Sequence, residues 1–219
     1  MMEIELNDVV KYYDGALVKA LNGVSLTVRG GEIISLLGPS GSGKSTLLNV
    51  MSTMDGQSSG RVSFDGRSVS RYRPLDRFRA RHIGFVFQFH HLIPHLTLLE
   101  NVELPMMVFE KVGKLRRDKA RDLLANMGLS AKQNALPNRI SGGERQRGAI
   151  ARALANNPDI ILADEPTGNV DTETGQMVVS YIINYCREYK ATLIMATHNQ
   201  EIADMTDRRI LIRNGLVES

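Results

Sequence analysis

Cysteine is nearly absent: Cys186 is the only one in 219 residues. A single thiol excludes an internal disulfide framework and fits a reducing compartment, and Cys186 is expected simply to pack on a helix. Long apolar runs are missing too. None approaches the roughly 18 residues that a membrane span requires. The N-terminus, MMEIELNDVV, carries acidic residues early and lacks the layout of a secretory leader. No internal repeat, low-complexity linker or concentrated arginine-rich stripe of nucleic-acid type is present, so nucleic acid is not an expected partner. A net charge of +3 suits an anionic ligand, a membrane face or a plain solvated surface equally well. With 42% hydrophobic and 23% charged residues, composition implies an ordinary globular core with room for an inserted lobe.

Continuous apolar stretches stand at Ile33–Leu37, Ile83–Phe87, Ile160–Ala163 and Leu193–Ala196. Uninterrupted apolar strands suit a mostly parallel sheet buried on both faces. Each stretch runs directly into polar residues: a glycine loop, Gln88, Asp164-Glu165, and Thr197-His198. Ligands of open α/β sheets gather at the carboxyl ends of strands, so four such clusters imply one shared site. Shorter alternating pieces (Ile4–Leu6, Val24–Val28, Arg61–Phe64) predict an antiparallel β layer at the N-terminal side. Residues 89–157 are helical in pattern, clearest over Leu115–Met127, and predict an inserted helical lobe. A further helix is expected over Thr174–Tyr189, and Arg209–Arg213 followed by Asn214-Gly215 reads as a last strand and turn. One α/β domain over 1–219 results, with 1–88 and 158–219 forming its core.

Gly38-Pro39-Ser40-Gly41-Ser42-Gly43-Lys44-Ser45 follows the first apolar strand and opens a helical stretch, the layout of a P-loop. Glycines let backbone N–H groups converge on phosphate oxygens. Lys44 would reach the β- and γ-phosphates, the Ser45 hydroxyl would sit on Mg2+, and the helix N-terminus would face the same anion. A nucleoside triphosphate is the implied ligand. His90, His91 and His95 lack the partner cysteines or paired helical spacing of a transition-metal site, so none is assigned.

A second motif, Ser141-Gly142-Gly143-Glu144-Arg145-Gln146-Arg147, opens another helix. Ser141 with Glu144 forms a capping box, which alone could account for both. Two glycines behind the cap cost helix stability, and suit a helix start whose bare N–H groups meet an anion. Gly38–Ser45, Ser141–Arg147 and the strand Ile160–Glu165 occur in the order and spacing of the ATP-binding cassette (ABC) family. The chain resembles the nucleotide-binding subunit of an ABC transporter over essentially its whole length. Gln88–Pro94 and Ala163–Asn169 are similar to the branch holding lipoprotein-releasing LolD-type, MacB-type and FtsE-type ATPases. Two positions depart from the usual pattern. Gly148 stands where a larger residue is general and is expected to loosen its helix slightly, and Val170 stands where leucine is common.

The resemblance implies an ATPase acting on Mg-ATP. ATP would be held by Tyr13, Gly38, Pro39, Ser40, Gly41, Ser42, Gly43, Lys44, Ser45 and Thr46, with the Tyr13 ring on the base. Tyr13 could equally be a strand aromatic packed on the edge layer. Ser45, Gln88 and Asp164 would ligate Mg2+. Glu165 would polarise the attacking water, His198 would contact the γ-phosphate, and Lys44 and Gln88 would complete the catalytic set. Ser141, Gly142, Gly143 and Glu144 would act on the ATP of a second copy, and Asp171 would lie in the D-loop. The implied partners are that second copy and an integral membrane permease, docked through the Gln88 loop and the apolar stretch after it. The implied location is cytoplasmic, peripheral on the inner face of the cell membrane. Transport and FtsE-type mechanical signalling without cargo share all these motifs. A soluble family member acting on nucleic acid would carry a second cassette or a coiled-coil insertion, and neither is present.

Overall fold

The computed structural model describes residues 1–168, 170 and 172–218. Its larger sheet runs, edge to edge, through β10 (Leu216–Glu218), β9 (Arg208–Arg213), β3 (Ile33–Leu37), β8 (Thr192–Ala196), β7 (Ile160–Asp164) and β6 (Ile83–Val86). Strands β9 to β6 are parallel, and β10 folds back antiparallel on β9. That return passes through Asn214 and Gly215, whose φ angles of 51° and 72° are those a tight hairpin turn needs.

The apolar strands lack alternation because both faces are covered. Ile33, Ile161, Ala163, Leu193 and Met195 join one core cluster, while Ile34, Leu36, Ile160, Leu162, Ile194 and Ala196 join the other. Neighbouring residues thus point to opposite sides, as the two-residue strand period dictates. The first face packs on α3 (Leu98–Glu103), α4 (Gly113–Asn126), α5 (Gly142–Ala153) and α6 (Thr172–Tyr189). The second packs on α1 (Lys44–Met51), on α2 (Leu75–His82) through Phe78, and on an antiparallel sheet.

That second sheet has the order β2 (Val18–Val28), β1 (Ile4–Tyr13), β4 (Ser59–Phe64), β5 (Arg67–Ser68). Strands β1 and β2 are far longer than the alternating pieces visible in the sequence. Pairing shifts register between Leu6 and Val9 and again between Lys11 and Tyr12. Such bulges interrupt the strict alternation by which a strand is recognised.

Thr97 and Ser141 start α3 and α5 with complete capping boxes, reciprocated by Glu100 and Glu144. The short α7 (Gln200–Ala203) is capped by Asn199. Cys186 lies buried on α6, and that burial pushes its thiol up to about 12.

Gly148 sits inside α5. The helix is continuous through it, and a Cβ there would lie 2.3 Å from Leu98 Cδ1 on α3. The missing side chain lets the two helices close on each other, so the glycine is a packing device.

Candidate nucleotide site

The carboxyl ends of β3, β8, β7 and β6 lie side by side, and the polar residues following them meet there. A cavity of 520 Å³ is lined by Ser40 to Thr46, Gln88, Glu165 and His198. Asp164 joins through a hydrogen bond from Ser45 Oγ to its Oδ1, 3.1 Å. Four segments far apart in sequence thus form one pocket, because parallel strands all deliver their following loops to the same sheet edge.

Packing forces the loop after β3 into its shape. Gly38 has φ 151°, and a Cβ there would stand 2.1 Å from the Ile212 carbonyl oxygen on β9. Gly43, at φ 107°, would place one 2.6 Å from the Ala20 carbonyl oxygen. Only glycine fits either position. The turn after β9 clamps the loop further: Gly215 N–H donates to Ser42 O at 2.9 Å, and Asn22 N–H donates to Gly215 O at 2.8 Å. Lys44 is largely buried, its ammonium donating to the Gly38 and Pro39 carbonyls at 2.7 and 2.9 Å. The Ser42 hydroxyl is buried without a partner among the described residues.

Across the cavity, Glu165 Oε2 and His198 Nδ1 are 2.8 Å apart. Glu165 has φ 45°, unusual for a residue with a side chain. The strain, on the order of 1–3 kcal/mol, is held by a hydrogen bond from its N–H to Ala196 O and another from Gly168 N–H to its carbonyl, each 3.0 Å. Anchoring on β8 therefore aims the carboxylate out of the strand line and towards His198. Thr197 and Asn199 brace the histidine from either side: Thr197 N–H donates to Leu36 O, and Asn199 N–H to Thr197 Oγ1, both 3.1 Å.

Asp164 is held above the usual carboxylate range by burial, and the negative Glu165 beside it acts in the same direction. A cation at this point would offset both costs. The donor set is all oxygen, from Ser45, Asp164 and the Gln88 amide, which is the chemistry Mg2+ takes. Among the described residues no cluster of His, Cys, Asp and Glu could hold a metal by itself.

Tyr13 ends β1 beside this pocket but does not line it. Its hydroxyl donates to Asp55 Oδ2 at 2.7 Å and also meets Thr46, and the Lys11 ammonium lies 4.9 Å from its ring centroid. Val18, Lys19 and Ala20 of β2 do line the cavity. Nothing in their sequence pattern marks them, since they reach the loop only through sheet packing.

Ser141 to Glu144 stay outside the cavity. Glu144 N–H donates to Ser141 Oγ at 3.2 Å, and Ser141 N–H to Glu144 Oε2 at 2.8 Å. Gly143 instead faces the start of α6, a Cβ there meeting Thr174 at 3.3 Å. Asp171 and Asn169 lie outside the described residues. His90 is buried and bonded to Gln146 Oε1 on α5, a structural role.

Comparison with known proteins agrees with this geometry. The ABC transporter family model matches residues 21–168. An uncharacterized ABC transporter ATP-binding protein of Thermotoga maritima is 48% identical, over 98% of this chain and 93% of its own length. The lipoprotein-releasing system ATP-binding protein LolD of Cytophaga hutchinsonii is 39% identical over 99% and 100%. Among solved structures, the ABC cassette MJ0796 superposes in a dimeric form with a TM-score of 0.93 at 42% identity, covering 99% of this chain and 97% of that one. Its dimeric post-hydrolysis state with ADP and phosphate superposes at 0.92, with 40% identity and the same coverage. The chain belongs to the ABC transporter family, as an ATP-binding subunit that hydrolyses ATP.

Proposed function

We propose that the chain is the motor of a LolD-type transporter, working as a dimer that closes on two ATP molecules. The observation that carries this is the Glu165–His198 pair, 2.8 Å apart, facing Lys44 and Ser45 across one cavity. Glu165 takes the proton of the attacking water, and His198 holds that water near the γ-phosphate. Lys44 turns its ammonium from the loop carbonyls to the β- and γ-phosphates, while the N–H groups of residues 40–46 receive the remaining charge. Ser45, Asp164 and Gln88 would hold Mg2+, which would supply neutralisation of developing phosphate charge. Tyr13 offers its ring to the base.

Ser141, Gly142 and Gly143 do not line their own chain's pocket, so they suit the γ-phosphate of a second copy. Residues 89–157 form the lobe that carries this motif. The LolD name of several relatives, and the dimeric form of the superposed cassettes, support this reading. None of the described helices is long and apolar enough to cross a membrane. The partner in this reading is an integral membrane permease. A groove of 240 Å³ beside Phe85, Phe87, His91, Pro105 and Arg152 suits its cytoplasmic helix. Arg152 fixes that groove's rim through hydrogen bonds to the His90 and His91 carbonyls. The motor then works on the cytoplasmic face of the membrane.

Glu165→Gln tests the assignment. Turnover is expected to fall roughly 10²–10⁴-fold, the usual worth of a positioned base, while ATP binding persists and the dimer accumulates on a sizing column. Unchanged turnover would remove Glu165 as the base, and a turnover per chain independent of protein concentration in a proven monomer would remove the dimer.

A further inference from the structure

Away from the nucleotide cavity, cations converge on a second depression. Arg81 of α2 and Arg116 and Lys119 of α4 line a cleft of 260 Å³, together with Phe109, Leu115 and Asn156. Arg77 and Arg81 lie 6.0 and 5.8 Å from the Phe109 ring centroid. The aromatic face thus holds together like charges that would otherwise repel. Lys119 is held below the usual lysine range by burial first and by Arg81 second.

No carboxylate among the described residues pairs with Arg77, Arg81, Arg116 or Lys119. The carboxylate on the wall, Glu110, is engaged by the Val112 N–H at 2.8 Å. Arg116 Nη1 donates to the Glu110 and Lys111 carbonyls at 2.9 and 3.2 Å, and its Nε is buried without a partner. Leu115 on the cleft wall is 55% exposed, and Met107 and Val112, which flank the wall residues Met106, Phe109 and Glu110 in sequence, are 48% and 52% exposed. Lys111 and Lys114 are exposed among them. Apolar tips interleaved with unpaired cations are the composition of a surface that rests at headgroup level on an anionic membrane.

We propose that this face docks on an anionic bilayer, a headgroup phosphate entering the cleft between Arg81, Arg116 and Lys119 while Met107, Val112 and Leu115 settle among the headgroups. Asn156 lines both this cleft and the groove assigned above to a permease helix, so the two surfaces are continuous. In that respect the inference deepens the proposed function: lipid contact braces the motor beside its permease. The charge argument stands without the permease.

The test is sedimentation of the whole chain with vesicles of phosphatidylcholine alone or mixed with phosphatidylglycerol, with neither nucleotide nor permease present. Binding is expected on the mixed vesicles only. R81Q/K119Q is expected to weaken it about 25-fold, at roughly fivefold for each surface cation removed. V112Q/L115Q weakens it as well, and R61Q/R67Q, on the antiparallel sheet, leaves it unchanged. A thermal melt checks that each variant is folded, and K111Q/K114Q replaces R81Q/K119Q should that one not fold. Binding to neutral vesicles as strong as to mixed ones would overturn the proposal, as would no binding at all. So would undiminished binding of the charge variant, or an equal loss in R61Q/R67Q, which would reduce the effect to net charge. Complete displacement by inorganic phosphate would make the cleft a free-anion site and also overturn it. Because no ATP is present, failure here leaves the Glu165→Gln test untouched, and the reverse holds.

Discussion

Gly148→Ala should destabilise the protein even though alanine is the better helix former. On propensity alone the change gains about 1 kcal/mol in a helix interior. The added methyl, however, would stand 2.3 Å from Leu98 Cδ1 and 3.2 Å from its Cγ, where carbon pairs need roughly 3.5–4.0 Å. Leu98 is fully buried and fixed at the start of α3, its N–H donating to Ala135 O at 2.9 Å. Burial leaves its side chain little space to swing into, and overpacking of this kind costs about 1–3 kcal/mol. The net expectation is a loss of about 1 kcal/mol. Leu98→Ala alone should cost about 2–5 kcal/mol by opening a cavity. In that background Gly148→Ala has room, so its sign should reverse to a gain of about 1 kcal/mol or more. Equilibrium urea unfolding of the four chains in a double-mutant cycle measures the coupling, expected at about 1–3 kcal/mol. An equal gain from Gly148→Ala in both backgrounds would refute the packing argument and restore the view that this glycine merely weakens α5.

Gly38→Ala should abolish nucleotide binding and cost at least about 2 kcal/mol, since its Cβ meets the Ile212 carbonyl oxygen and φ is positive; a urea melt and an ATP titration check both. His90 is buried against Gln146, with Arg145 and His91 adding positive charge, and burial above all holds its imidazole below the ordinary histidine range. Its folded pKa is depressed, so the unfolded chain binds the proton first. Its contribution is present above about pH 6.5 and lost as pH falls below it. Urea midpoints should drop over that window, and His90→Gln should flatten the drop. Cys186 should resist thiol reagents at neutral pH until the chain unfolds, because its thiol is buried and raised to about 12; labelling at the rate of a free thiol in the native protein would show that α6 opens locally.

Local signals carried much of the site into view. The glycine loop, the capping box at Ser141, and the acidic pair after β7 each depend on residues within a few positions of one another. Burial of both sheet faces was legible because it removes alternation from β3, β7 and β8. Other features depend on partners far along the chain. Bulges hid most of β1 and β2, and with them the Val18–Ala20 wall of the cavity.

By itself, the sequence determined which side chains could bind phosphate and where the strands delivering them would end. Only the tertiary structure decided that Gly38 must be bare because β9 passes against it, that Gly148 is bare because Leu98 needs its space, and that Glu165 turns towards His198 because β8 holds its backbone. Contacts made across such separations depend on how the chain is brought together, and no local pattern of residue types encodes them.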